Sequence, residues 1–333
     1  MAYTAIDDPE AYFQAVLYTG NASGDHAITL PGDTDMQPDM VWIKERTATS
    51  DHFLTDIGLG VGGGGTPTRL EPSANSAESA QAFTVQSDGF TLVTTTNQVN
   101  QDGILHVAWC WKESATSGFD IATFTGNGAA QNISHSLSAV PKMVITKSRS
   151  ASGAWYTYHA GVASDAETDY LVLDTNAAAG DASTVWNDTA PTSSVFTVGS
   201  GFDDGTTYIA YAFAPKQGFS KFGSYEGNGL ADGTFVYLGF RPAYVLFKGV
   251  ATNREWIIAD NKRDTYNLVD EVLYANTNDA AGTSAMVDFL SNGFKLRHAA
   301  GPGTINTDTE TYVYIAFAEA PFVNSNGVPC NAR

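Results

Sequence analysis

Three segments of this 333-residue chain spell out the same order of residue types, and that repetition constrains the fold more than any other feature. Each opens on an aromatic followed by Gly-Asn: Tyr18-Thr19-Gly20-Asn21, Phe124-Thr125-Gly126-Asn127-Gly128 and Tyr225-Glu226-Gly227-Asn228-Gly229. Each continues with a Pro-led apolar run ending in lysine, from Pro38 to Lys44, Pro141 to Lys147 and Pro242 to Lys248. Eight residues beyond the lysines stand His52, Trp155 and Trp256. The closing runs read His106-Val107-Ala108-Trp109-Cys110, Tyr208-Ile209-Ala210-Tyr211-Ala212 and Tyr314-Ile315-Ala316-Phe317-Ala318, which places Cys110 in the slot of Ala212 and Ala318. The prolines are separated by 103 and then 101 residues, the length of a domain rather than of a solenoid unit.

The residue types within one period read as strands. Glycine occurs 32 times alongside abundant Thr, Ser, Asn and Asp, a vocabulary of turns and sheets. In the closing runs large apolar residues alternate with Ala or Cys, so both faces are covered and the strand lies inside its sheet. Gly-Phe pairs at Gly89-Phe90, Gly201-Phe202 and Gly293-Phe294 follow short apolar runs and predict hairpins. The best helical candidate, Ser73 to Ala82, has no capping-box Glu. The expected fold is all-β: three tandem antiparallel β-sandwich domains, jelly-roll-like and related by internal repeat. An N-terminal arm spans 1–11, the sandwiches span 12–115, 119–216 and 219–322, and a tail spans 323–333. Three such domains either extend as a rod or close into a pseudo-threefold disc.

Seventeen basic residues face 36 acidic ones, a formal charge of −19. A nucleic-acid partner is therefore not expected, because phosphate recognition relies on Lys and Arg, nor is an anionic membrane surface. No run approaches about 18 apolar residues, and the start shows no signal-peptide pattern, so neither membrane insertion nor export is expected. Two cysteines, Cys110 and Cys330, make no disulfide framework. The six histidines show no metal-ligand spacing, and the acidic turns Asp33-Thr34-Asp35 and Asp203-Asp204-Gly205 lack EF-hand spacing. No GxSxG elbow or Cys-His signature is present. The glycine loop from Gly58 to Gly65 contains GxGxxG, but Thr-Pro-Thr-Arg follows where a dinucleotide site needs a helix. The expectation is a non-enzyme with no cofactor and no metal.

Some residues carry two readings. Lys44, Lys147 and Lys248 either lay their stems over the core with the head near a carboxylate, or make an interface contact repeated three times. Trp155 and Trp256 read as core. Trp186, flanked by Asn187 and Asp188 in a longer loop of the second repeat, reads as a ring-stacking platform or as packing on its own domain. Trp186, Asn187 and Asp188, with Gly62 and Gly63 of the glycine loop, are the candidate receptor contacts, because they distinguish the repeats.

The run from Ile6 to Gln14, the Tyr18 opener, Met36 to Lys44, Val107 to Lys112 and the end Asn326 to Arg333 together resemble a family of repeated β domains in virion proteins of tailed bacteriophages, especially marine ones. The resemblance covers essentially the whole chain. One departure falls at Asp56-Ile57-Gly58-Leu59-Gly60, where that family often carries Asp followed by an Arg-Gly turn. The resemblance implies a virion location and a tail-fibre or tail-associated adhesin that presents loops to a host-surface glycan or protein. A capsid or tail decoration protein is the alternative, and a glycan-cleaving enzyme a third. Implied partners are other virion proteins, a host receptor and further copies of the chain, a homo-oligomer with a trimer favoured.

Overall fold

A computed structural model describes residues 3–61, 67–93, 97–299 and 305–330. It is nearly all β; among the described residues α-helix is confined to two single turns, Asn97–Asn100 and Ser183–Trp186. The segment from Ser73 to Ala82 is a turn and a short strand, Ser79–Ala80, rather than a helix.

Four strands recur in each repeat. The opening strands are Phe13–Thr19, Phe119–Thr125 and Ser220–Glu226. The lysine strands are Met40–Glu45, Met143–Ser148 and Phe240–Gly249, the return strands Phe53–Asp56, Tyr156–His159 and Ile257–Asp260, and the closing strands Leu105–Trp111, Thr207–Phe213 and Thr311–Pro321. All three repeats show the antiparallel order opening, closing, lysine, return. The closing strand is thus paired on both sides, as its two apolar faces require.

The faces of this sheet do different work. In the first repeat Val41, Ile43, Phe53, Ala108 and Cys110 pack with Ile28, Phe83, Phe90 and Leu92 of a three-stranded second sheet, forming a separate cluster. The opposite face presents Phe13, Met40, Trp42, Trp109 and Trp111 to a core shared with the other repeats. In the second repeat the smaller sheet pairs Gln131–Ser134 with Val195–Val198, and Gly201 and Phe202 lie in the turn beyond it rather than in a hairpin. In the third, one continuous eight-stranded sheet runs round to the short edge strand Phe235–Tyr237.

The shared core closes the repeats into a ring. Phe13 and Trp111 of the first repeat, Phe213 of the second, and Tyr244 and Phe317 of the third meet ring to ring, Phe13 stacking on Phe317 at 5.3 Å. A void of about 30 Å³ at this centre is walled by Trp42, Trp111, Tyr211, Phe213, Tyr244 and Phe317 among others. The rod arrangement is thereby excluded.

Strand pairing also corrects the alignment of the third closing run. Lys44 pairs with Val107, Lys147 with Ile209 and Lys248 with Val313. The counterpart of Ala108 and Ala210 is therefore Tyr314, and the slot of Cys110 and Ala212 is filled by Ala316, not Ala318. Tyr314 fits because Gly223 lies opposite, where a Cβ would stand 2.7 Å from the tyrosine hydroxyl; the first and second repeats have Val16 and Ala122 there.

Candidate functional site

The repeated signature residues converge on the seams between repeats. Lys147 Nζ donates to Asn75 O of the first repeat at 3.2 Å, Lys248 Nζ to Asn176 O of the second at 3.1 Å, and Lys44 Nζ to Asn278 O of the third at 3.3 Å. Each also donates within its own repeat, to Ser148 O, Arg254 O and Glu45 O. Burial lowers all three ammonium groups to about 8. These lysines meet both readings: the buried heads bond carbonyl oxygens across the seams, a contact repeated three times, and Asp174, Glu255 and Asp279 attract from nearby.

Neighbouring seam contacts follow the same cyclic order. The backbone N–H groups of Gly153, Arg254 and Ser50 donate to the same three carbonyls at 2.9 Å. Trp155 Nε1 donates to Glu71 O and Ala74 O, Trp256 Nε1 to Val172 O, and His52 Nε2 to Tyr274 O. At the ends of the return strands Asp56 accepts from Tyr211 OH at 2.6 Å, and Asp260 accepts from Trp109 Nε1 at 3.1 Å. His159 stands in the third such place and donates through Nε2 to Tyr314 O. Its cross-seam neighbour is Ile315, which offers no polar group, so the longer histidine finds the adjacent carbonyl. Burial raises the Asp56 carboxyl to about 6 and holds His52 at about 3 and His159 at about 4.

The candidate contact residues divide. Trp186 is 2% exposed, ends the helical turn Ser183–Trp186 and packs edge-on against Tyr158, with Phe202 beside it. Its surface-platform reading is corrected: the polar neighbours face solvent while the turn points the indole inward. Asn187 and Asp188 are exposed in left-handed backbone conformation (φ 53° and 45°), and Asn187 caps that turn. Gly62 and Gly63 lie outside the described residues. Asp56, just before the glycine loop, caps the turn Ile57–Leu59 through Leu59 N while holding Tyr211. No group of three or more His, Cys, Asp or Glu side chains able to hold a metal forms among the described residues.

What the sequence reading missed is a position where the repeats diverge. Ser50, Gly153 and Arg254 are equivalent, as their shared hydrogen bonds show. In the third repeat the Arg254 stem lies over Gly249 and its guanidinium pairs with Glu310 at 2.9 Å, with Thr252, Thr307 and Tyr312 completing the cluster. In the first, Glu45 and His106 are buried side by side, 3.8 Å apart, with Tyr18 stacked on the imidazole. In the second, Gly153 and Ser148 are too small to fill the space. A pocket of about 160 Å³ remains, walled by Thr146, Ser148, Ser152, Tyr156, Phe202, Asp203 and Tyr208 among others. The signal was present in the aligned triplet Ser, Gly, Arg six residues past the lysine of each Pro-led run, but only a structural alignment gives it meaning.

A domain of unknown function (DUF7483) matches residues 8–321, a span that takes in all three repeats to the last residue of the final closing strand. The chain belongs to this family. No curated protein matches it, and no solved structure does. The DUF7483 unit thus coincides with the closed ring, not with a single repeat.

Proposed function

We propose that this DUF7483 chain is a virion structural protein of a tailed bacteriophage, a tail-fibre or tail-associated adhesin built as three jelly-roll-like sandwiches over the spans 12–115, 119–216 and 219–322. It acts by binding and not by catalysis, joined to other virion proteins and to further copies of itself, a trimer favoured. The observation that carries the reading is the division of roles among its residues. The shared signature holds the ring rigid through the seams, while diverged positions, above all the pocket of the second repeat, are left to meet a partner on the host surface. The resemblance to phage virion proteins supplies the setting.

One observation favours the decoration reading instead. The edge strand Phe235–Tyr237 exposes Phe235 and Tyr237 on one face, and Tyr237 with Tyr3, Lys221 and Phe322 lines a cleft of about 330 Å³. An exposed aromatic edge suits contact with another virion protein.

Gold labelling of intact virions with antibody against the chain, combined with adsorption assays in the presence of excess purified protein, tests both. Label on the tail with slowed adsorption supports the adhesin. Label on the capsid with normal adsorption supports decoration, and unlabelled virions overturn the virion location itself. Mass measurement in solution decides the oligomer: a stable monomer overturns the trimer.

A further inference from the structure

We infer that the pocket of the second repeat binds a neutral saccharide ring. The cavity is specific to one repeat, because the equivalent space is closed by Arg254 and Glu310 in the third repeat and by Glu45 and His106 in the first. Its opening follows from small residues where the other repeats carry larger ones: Ser148 and Gly153 in place of Glu45 and Ser50, and Ala151 and Gly153 in place of Thr252 and Arg254. Volume limits the guest: about 160 Å³ lies below the usual range for drug-sized ligands, which is about 300 Å³ and more, and suits one small ring.

The walls define the chemistry of that guest. Tyr156, Phe202 and Tyr208 form an aromatic group, with ring centres 6.1 Å and 5.0 Å from Phe202, against which the C–H face of a sugar packs. Hydroxyls supply the polar contacts. Ser152 and Tyr156 have no side-chain hydrogen bond among the described residues, whereas Tyr208 OH is engaged by Asp203 N and by the Thr206 side chain, so Ser152 and Tyr156 supply the free hydroxyls. No Lys, Arg or His lines the space, Asp203 adds a carboxylate, and the chain carries a charge of −19, so a phosphate, sulfate or sialic acid is disfavoured. An apolar guest would leave the hydroxyls unpaired. A neutral polyol ring satisfies both halves of the wall.

The inference deepens the adhesin reading, which supplies its biological use, yet the two fail separately. Saturation-transfer NMR on the full chain, with methyl glycosides of glucose, galactose, mannose and N-acetylglucosamine and with N-acetylneuraminate as the charged comparator, is the test. At least one neutral glycoside is expected to receive saturation and the charged sugar none. Gly153→Arg with Thr206→Glu copies the plug of the third repeat into the second and should weaken binding at least tenfold. Ser152→Tyr blocks the exposed rim without burying a charge and should do the same if the plugged chain does not fold. No response from any neutral glycoside, equal binding by a folded blocked variant, or preference for the charged sugar would each overturn the inference. Labelled virions with no glycoside binding would remove the pocket inference alone, and glycoside binding by a chain absent from virions would remove the virion reading alone.

Discussion

The second and third repeats carry the same seam and different pockets, and the contrast separates residues that make the ring from residues that use it. At the seam, Lys147 and Lys248, Trp155 and Trp256, and the loops that receive them are interchangeable in role. A few ångströms along the same loop, Gly153 and Arg254 are not: one leaves a cavity and the other fills it. Repetition is retained where a neighbouring repeat must be met, because all three seams have to close at once. It lapses at loop positions whose occupant faces solvent or a guest. The first repeat solves the same position a third way, with a buried carboxylate beside an imidazole.

The largest way to break the comparison is to remove a seam tryptophan. Trp256→Ala and Trp155→Ala each delete a fully buried indole and its cross-seam hydrogen bond, and each should cost about 3–5 kcal/mol in thermal or denaturant unfolding. Similar losses at the two sites would show that the seams are equivalent. A difference above about 2 kcal/mol would show that they are not. Lys147→Met and Lys248→Met keep the stem and remove the donor, so each should lose about 1–3 kcal/mol as Asn75 O and Asn176 O each lose one of their two donors. If the two losses are equal while pocket variants at Gly153 leave the melting point alone, the division of roles stands.

Much of the ring was legible as strings without being legible as a ring. The opener's glycine is explained by backbone approach: a Cβ on Gly20, Gly126 or Gly227 would stand 2.0, 2.3 or 2.2 Å from a carbonyl oxygen of the loop before the closing strand. The following asparagine accepts from the N–H two residues on in every repeat, at Ser23, Ala129 and Leu230. The lysines were visible, but their partners are main-chain carbonyls, which leave no mark in a sequence. The third closing run was misaligned by two residues because alternation has a period of two, so such a shift preserves which residues face the core. Only strand pairing, Lys248 with Val313 and Gly223 with Tyr314, identifies Tyr314 as the residue in the alanine slot. Trp186 misled because its neighbours are polar, whereas a single helical turn is enough to bury one side chain of a hydrophilic segment. The pocket stayed hidden because it consists of what Gly153 lacks.

The register correction gives a third test. Gly223→Ala should overpack against Tyr314 and cost about 1–3 kcal/mol, while Gly223→Ala with Tyr314→Ala should recover the packing strain although not the lost ring. An unaltered melting point for Gly223→Ala would return Tyr314 to its earlier alignment.

Acid sharpens the comparison between seams. His52 Nδ1 accepts from Trp42 Nε1 and His159 Nδ1 accepts from Gly161 N, so both imidazoles are neutral and have no place for a second proton. Their folded values, about 3 and about 4, lie below the ordinary 6.5. The stability they contribute is complete above pH 6.5 and is lost as pH falls from there through 4 and 3. Asp56, raised to about 6, acts in the opposite sense: its buried charge is relieved as pH falls from 6 towards 3.8. Burial also raises Asp39, Glu113, Asp174 and Asp264, which act as Asp56 does, but the two histidine shifts are larger, so the melting point should fall between pH 6.5 and 4, and His52→Gln with His159→Gln should flatten that fall. A wild-type profile that stays level, or a double variant that follows the wild type, would remove the histidines from the account.

The smallest expected effect lies at the rim of the seams, where the repeats differ by one ion pair. Arg149 Nε reaches Glu78 across the boundary of the first two repeats at 2.7 Å, and Arg46 Nη2 reaches Glu271 across the boundary of the first and third at 2.7 Å. The equivalent residue at the remaining boundary is Val250, which has no charge, yet its carbonyl accepts from Ala179 N at 2.8 Å just as those of Arg149 and Arg46 accept from Glu78 N and Ala281 N. The backbone contact is therefore common to all three seams and the ion pair is an addition to two of them. These charges keep partial contact with water, and such pairs contribute about 0.2–1 kcal/mol. A double-mutant cycle with Arg149→Gln and Glu78→Gln should return a coupling in that range that shrinks with added salt. A coupling above about 2 kcal/mol would mean that the first two repeats are held by charge as much as by their shared core, and the Val250 seam would then be the place where the ring opens first.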